Sequence, residues 1–571
     1  MLTLKAISSK VLHHASHKLS SMGEADFKAA SFQIEQCQTA IFRALMDDIE
    51  GTQSADKHSL DKNSCIEDFQ NLVPVTEYDD WSNFIARQQQ GEPKVLSKLS
   101  CQRYQPTSGS TSKIKWIPYT SSFLDQLDHA IGPWMSDLYQ QFPDIKQGKH
   151  YWSLSWVPGD LRDKLTTSIN DDLQLLPWWK RLFMARTMAV PESLSLAKSS
   201  EDSFFATACY LASCRDLSFI SVWSPTFALS LLELIQSHKD LIIDVLENGK
   251  WPLCFSELHA IKAPKNTQTS LILKAWDGEI NAEFTKNLWP QLGLISAWDT
   301  SSSTLWAQKL KDLFRHSKFQ GKGLWATEGV ISIPYKQQYP LAITSHFYEF
   351  EDLDTQQIHT SWQLQKGQHV RPIISTGSGL LRYALKDQLK VTGFMNQCPC
   401  LEFIGRLDGI DMVGEKLSPE IAVEIIDDFN HYSQLTPISL LALPTSKLGS
   451  KPFYALLCKG VMTLCAAETR QLETKLNQLL EAKLSQCFHY HLARELGQLN
   501  RAEVLIMPNA MEIYTDHKIS QGMVAGNIKI EPLTLWQQHD LLKSNFYAEE
   551  GEVPEIPTSK APNDANEEIS A

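Results

Sequence analysis

Residues Tyr104 to Lys115 read Tyr-Gln-Pro-Thr-Ser-Gly-Ser-Thr-Ser-Lys-Ile-Lys, small hydroxyl residues crowded around one glycine and closed by lysine. Such a segment offers backbone N–H groups and hydroxyls as donors to phosphate oxygens, with lysine as a point charge. It is not a Walker A loop, because the Gly-x4-Gly-Lys-Ser/Thr spacing is absent. Taken alone, a Ser/Thr-rich surface linker explains it equally well. Further on, charged residues recur inside short Gly-containing segments: Leu324-Trp325-Ala326-Thr327-Glu328-Gly329, Gly379 to Asp387, Phe403-Ile404-Gly405-Arg406-Leu407-Asp408-Gly409, and Ser520 to Lys529.

Other reactive types carry less. His489 and His491 stand two apart, on different faces of an expected helix, with no Cys or carboxylate at ligand spacing, so no metal site is expected there. Cys398 and Cys400 fit neither a zinc ribbon nor a redox Cys-x-x-Cys. His13, His14 and His17 fall in what reads as a frayed N-terminus. Trp134, Trp152, Trp156, Trp178, Trp179 and Trp223 read as core, though a pocket for an apolar or aromatic acid would draw on the same supply.

The elements that must position these residues change character along the chain. From Phe27 to Ile49, Phe32, Ile34, Ile41, Phe42, Leu45 and Met46 recur at near-helical spacing, giving one or two amphipathic helices. Phe123 to Phe142 reads as helix. Ser224-Pro225 reads as a capped helix start, and a second helix runs from His238 to a stop at Gly249. Strand-like runs follow at Ser270 to Ala275, Val330 to Ile333, His346 to Phe350, Val370 to Thr376, Leu389 to Phe394 and Leu401 to Ile404. Beyond Arg406 come a turn, a short strand through Val413, and a helix from Ser418-Pro419. A long amphipathic helix is expected from Thr469 to Leu496, stopped by Gly497. Glu549 to Ala571 is acidic and proline-containing, and reads as a disordered tail.

At 571 residues the chain has room for more than one domain. With 53 Lys+Arg against 66 Asp+Glu, its formal charge of −13 repels polyanions, so nucleic acid is not an expected partner. Hydrophobic residues at 43% supply a large core. Eleven scattered cysteines, no signal-like N-terminus and no uninterrupted apolar run of spanning length lead to a soluble cytoplasmic protein without a membrane partner.

In order, these motifs resemble the adenylate-forming enzymes of the acyl-CoA ligase and luciferase superfamily. Within it they look most like the GH3 family of acyl acid amido synthetases. Val73-Pro74 with Tyr78-Asp79-Asp80-Trp81, the Gly379-Leu380-Leu381-Arg382-Tyr383 to Lys390-Val391-Thr392-Gly393-Phe394 segment, and Arg494-Glu495-Leu496-Gly497-Gln498-Leu499 carry the closer likeness. It covers roughly Phe27 to Leu533.

The resemblance implies an α/β fold: a large N-terminal adenylation domain over 1–405, with β-sheets flanked by helices and the ATP and acid sites. A small α+β C-terminal domain over 406–548 would sit on a hinge, with the acidic tail over 549–571. It implies that Thr107, Ser108, Gly109, Ser110, Thr111 and Lys115 cradle the phosphates of ATP, and that Thr327 and Glu328 sit at the α-phosphate, the carboxylate helping to hold Mg2+. Asp387 would accept from the ribose, Arg406 would reach the nucleotide, Asp408 would be the hinge, and Lys529 would be the mobile catalytic lysine. The pattern departs at Ser112 (for Gly), Leu324 (for the adenine-stacking aromatic), Ala384 (for Arg) and Lys386 (for Gly). The implied reaction joins a small-molecule carboxylic acid to an amine, that of an amino acid, through an acyl-adenylate. Thioester formation of the acyl-CoA ligase type and a degenerate, non-catalytic nucleotide- or acid-binding protein are the alternatives.

Overall fold

Four parallel strands, Lys149–Trp152, Leu217–Ser221, Leu294–Ala297 and Lys318–Gly321, pair in chain order to form the sheet that organises the first half of the molecule. The two inner strands are buried at every position, as expected of a parallel sheet covered on both faces. Helices Ser200–Ser213, Pro225–Ser237 and Lys239–Asn248 supply much of that cover, and their apolar side chains share one core with Ile220 and Ile295. These features come from a computed structural model, which describes residues 2–106, 115–153, 186–191, 193–194, 197, 200–300, 303–407, 409–410, 412, 417–432, 435–444, 451–460, 466–495, 499–521, 523 and 528–536.

A second, antiparallel sheet runs in the order Ile358–Thr360, Phe347–Asp352, His369–Ser375, Asp387–Met395, Cys398–Arg406, with Tyr383–Ala384 on the side of His369–Ser375. It shares a core with the helices Ile34–Ile49 and Ser121–Gln141. A third sheet, ordered Glu503–Met507, Phe453–Lys459, Thr436–Leu443, Leu533–Leu535, is mixed in direction. One face packs on Pro419–Phe429 and Ala466–Leu484, while the other, through Ile438, Leu441 and Met507, joins the core of the parallel sheet. The architecture is thus mixed α/β, with sheets flanked by helices and a C-terminal α+β unit. No described helix is long and apolar enough to cross a membrane.

Several expectations from sequence need correction. Ser270 to Ala275 is not a strand but the end of helix Thr267–Ala275, which Asn266 caps by accepting from the N–H groups of Gln268 and Thr269. The apolar run Leu271-Ile272-Leu273 hid a good cap. The long helix from Thr469 is two, Ala466–Leu484 and Phe488–Glu495, because the second folds back onto the first: the Tyr490 hydroxyl and Arg494 guanidinium both donate to Glu481, at 3.0 and 2.6 Å. Nor is the N-terminus frayed at its histidines. His13 is fully buried in helix Leu2–Ala30, 2.9 Å from the Gly148 carbonyl and 3.0 Å from the Tyr139 hydroxyl. Beyond Arg406, Ile410 and Leu417 form an isolated bridge, while Val413, Gly497 and 549–571 lie outside the described residues. The starts at Pro225 and Pro419 and the left-handed stop at Gly249 stand as read, although Ser224 makes no side-chain cap bond.

Candidate functional site

The hairpin Cys101–Pro106 and Trp116–Thr120 flanks the hydroxyl-rich loop, with Pro106 opposite Trp116. Thr107, Ser108, Gly109, Ser110 and Thr111 lie outside the described residues. Lys115 is placed, half-buried, with its ammonium 5.6 Å from the centre of the Tyr78 ring. Tyr78 opens helix Tyr78–Gln89, and its hydroxyl oxygen accepts from the Trp116 N–H at 2.9 Å, which fixes the exit of the loop.

Thr327 and Glu328 form the turn of a second small hairpin, Trp325–Ala326 with Gly329–Val330. Three contacts set its position. The Tyr119 hydroxyl donates to the Thr327 carbonyl at 3.0 Å, tying the turn to the strand that follows the loop. The Leu324 N–H donates to Ser332 Oγ at 3.0 Å. The Val330 N–H donates to His346 Nε2 at 3.1 Å, so this buried imidazole must be a neutral acceptor; burial lowers its pKa to about 3.

Glu328 faces charged and phenolic groups. Burial pushes its carboxyl up; the Asp387 carboxylate pushes the same way, while the Lys115 ammonium and the Tyr383 hydroxyl draw it back. Tyr383 donates to Glu328 Oε1 across 3.3 Å, a long contact that leaves most of the carboxylate's acceptor capacity unused by it. Asp387 begins the strand Asp387–Met395 directly opposite Arg406, so the two residues start from paired backbone positions. Of Arg406 only the backbone is described, and Asp408 lies outside the described residues. Lys115, Glu328 and Asp387 therefore belong to one electrostatic neighbourhood, although more than 200 residues separate the first from the second.

Behind the Glu328 turn stands a tryptophan cluster. Trp134 packs on Trp152 and Trp325 with centroids 5.8 and 5.6 Å apart, and Trp223 packs on Trp298 and Trp325 at 5.7 and 5.8 Å. Leu324, next to Trp325 in sequence, is buried. Trp156, Trp178 and Trp179 lie outside the described residues. Lys529 reaches this cluster from the C-terminal unit, its ammonium 3.9 Å over the Trp298 ring and 5.8 Å from that of Phe403. Sequence reasoning missed Lys322 and the pairing of Tyr383 with Glu328. A lysine just beyond a strand gives no local sign of burial, whereas Tyr383 was marked by its place in the Leu-Leu-Arg-Tyr run.

The model of the GH3 family N-terminal domain matches residues 24–319, and that of the GH3 family central domain residues 339–406. Among curated proteins, the chain is similar to the indole-3-acetic acid-amido synthetase GH3.15 of Arabidopsis thaliana, 21% identical over 380 residues, which are 60% of this chain and 62% of that protein. It is also similar to the indole-3-acetic acid-amido synthetase GH3.17 of the same plant, 22% identical over 398 residues, 61% of this chain and 64% of that protein. The matched region therefore spans less than two thirds of either relative's length. The solved structure of GH3.15 acyl acid amido synthetase has the same fold: TM-score 0.74, 16% identity, covering 91% of this chain and 95% of that one.

Proposed function

Because the chain belongs to the GH3 family, we propose that it is an ATP-dependent acyl acid amido synthetase. The observation that carries this reading is the convergence of Glu328, Tyr383 and Asp387 on Lys115, next to the strand Trp116–Thr120. In the first half-reaction a carboxylate oxygen of the acid attacks the α-phosphorus of ATP, and the bond to the β-phosphate oxygen breaks, giving acyl-adenylate and pyrophosphate. In the second, an amine, that of an amino acid, attacks the acyl carbon, loses a proton, and AMP leaves. Neither half needs a covalent enzyme intermediate, so catalysis rests on positioning and electrostatics.

In this reading Thr107, Ser108, Gly109, Ser110, Thr111 and Lys115 hold the phosphates. Thr327 and Glu328 meet the α-phosphate, Asp387 binds the ribose and Arg406 approaches the nucleotide. Mg2+ suits the residues present: a hard cation bridging phosphates needs only one or two carboxylates, and Glu328 keeps most of its acceptor sites free of Tyr383. Bound there, the metal would neutralise phosphate charge. The N-terminal unit to about Gly405 would hold both substrates, and the unit from Arg406 would turn about Asp408 to bring Lys529 to the reacting carboxylate and phosphate, then withdraw it. None of the described cysteines is in a disulfide, which supports a reducing compartment, the cytoplasm.

A hydroxylamine trap tests the adenylation step without knowledge of the natural acceptor. Purified protein with ATP, Mg2+ and a panel of aliphatic, aryl and indolyl carboxylic acids should yield a hydroxamate from at least one acid, and none without ATP. ATP binding with no hydroxamate from any acid would instead favour a non-catalytic binding protein.

A further inference from the structure

Lys322 directly follows the parallel strand Lys318–Gly321 and is only 7% exposed. Its ammonium donates to Ser221 Oγ at 2.9 Å and lies 5.0 Å from the centre of the Trp134 ring and 4.9 Å from that of Trp223. Among the described residues no carboxylate forms an ion pair with it, in contrast to Lys518, also buried and bound to Glu531 at 2.6 Å. A buried ammonium without a counter-ion costs free energy, and one hydroxyl and two ring faces offset it only in part. Burial accordingly pushes the amine down to about 7.

Its position says which anion fits. Ser221 and Trp152 end their strands, Trp298 directly follows Leu294–Ala297, and Lys322 directly follows the fourth strand, so all four lie at the carboxyl edge of the parallel sheet, where α/β folds bind ligands. Trp325 touches both rings that sandwich the ammonium, and it begins the hairpin whose turn is Thr327 and Glu328. The cage therefore adjoins the place where the proposed reaction needs an acid.

We infer that Lys322 is the counter-ion of the acyl acid: its ammonium, held by Ser221 between Trp134 and Trp223, pairs with the substrate carboxylate while the tryptophans take the apolar body. The inference rests on the adenylation reading. It makes the lysine a binding residue for the acid and not for ATP.

The test compares wild type with Lys322→Met, which keeps the length and apolar stem but removes the charge, and with Lys322→Gln, which keeps polarity should Met disturb folding. The probes are the acid that gives most hydroxamate in the panel and its primary carboxamide, with binding read by quenching of tryptophan fluorescence. Wild type should bind the acid at least about tenfold more tightly than the amide, since an ion pair is exchanged for a neutral contact. Both variants should lose that preference and raise KM for the acid by at least about tenfold, at an unchanged KM for ATP. An unchanged acid KM, or an acid-over-amide preference that persists in both variants, would overturn the assignment and leave adenylation standing. Absence of hydroxamate from wild type with every acid would sink adenylation itself; the preference for a panel acid over its amide would then still be read from binding alone.

Discussion

Glu328 is held in two ways that pull against each other. Burial and the Asp387 carboxylate raise its pKa above the ordinary carboxylate value, yet the proposed chemistry needs the ionised form beside phosphates and Mg2+. A carboxyl whose pKa is raised on folding is worth most to the fold when protonated, so its charge costs stability above the unfolded pKa. Glu328→Gln should therefore melt no lower than wild type at pH 7, while pyrophosphate release falls steeply. A lower melting temperature together with full activity would contradict this. For the same reason, activity should decline on acidification at a higher pH than an exposed glutamate would set, as the carboxyl takes up its proton; a pH–rate profile reads that limb directly. With Asp387 at the ribose as proposed, Asp387→Ala should cost about 1.5 to 3 kcal/mol of ATP binding, roughly ten- to a hundredfold. Titration of ATP against the variant measures it, and an unchanged affinity would remove Asp387 from the site.

At the scale of elements, the parts of the site that were legible in sequence are those with local chemistry. Gly379 to Asp387 opens on a residue that answers a backbone demand. Gly379 adopts φ of +83° and has no room for a Cβ against the Leu96 carbonyl, so Gly379→Ala should destabilise by more than about 1 kcal/mol in a denaturant titration. Arg382, in the same run, is buried. It pairs with Glu349 at 3.0 Å, with the two side chains 4% and 1% exposed, and it also donates to the Val73 and Gln70 carbonyls. It clamps the segment after helix Ile66–Leu72 to the antiparallel sheet. Arg382→Met leaves Glu349 buried without a counter-ion, with only the Gln70 amide donating to it at 2.9 Å, and should cost about 3 to 5 kcal/mol of stability. A melting curve superposable on wild type would refute that role. Long-range closure was what sequence could not show. Nothing local marks His13 for burial against Gly148 and Tyr139, Glu481 as the anchor that folds Phe488–Glu495 back, or Lys322 for a cage built from three distant segments. The strands of the antiparallel sheet are readable because their punctuation by Gly and Pro is local; the helix Thr267–Ala275 is not, because its apolar run Leu271-Ile272-Leu273 is too short to show a period and only its cap, Asn266, marks it as helix.

Across the whole molecule, the C-terminal unit does two things at once. One face of its sheet completes the core of the parallel sheet, and its Lys529 lies on Trp298 at the edge of the tryptophan cluster. If that unit turns between half-reactions, Lys529→Ala should slow pyrophosphate release by of order a hundredfold or more and leave amide formation from supplied acyl-adenylate nearly unchanged. Equal slowing of both steps would mean that Lys529 does not act in adenylation alone. The central claim, that this chain activates a carboxylic acid as its adenylate, is tested most directly by exchange of labelled pyrophosphate into ATP. Exchange should appear only when a suitable carboxylic acid is present, should need no amine, and should vanish in Glu328→Gln. Exchange that proceeds without any acid, or that requires the amine, would contradict an acyl-adenylate formed before the acceptor is engaged.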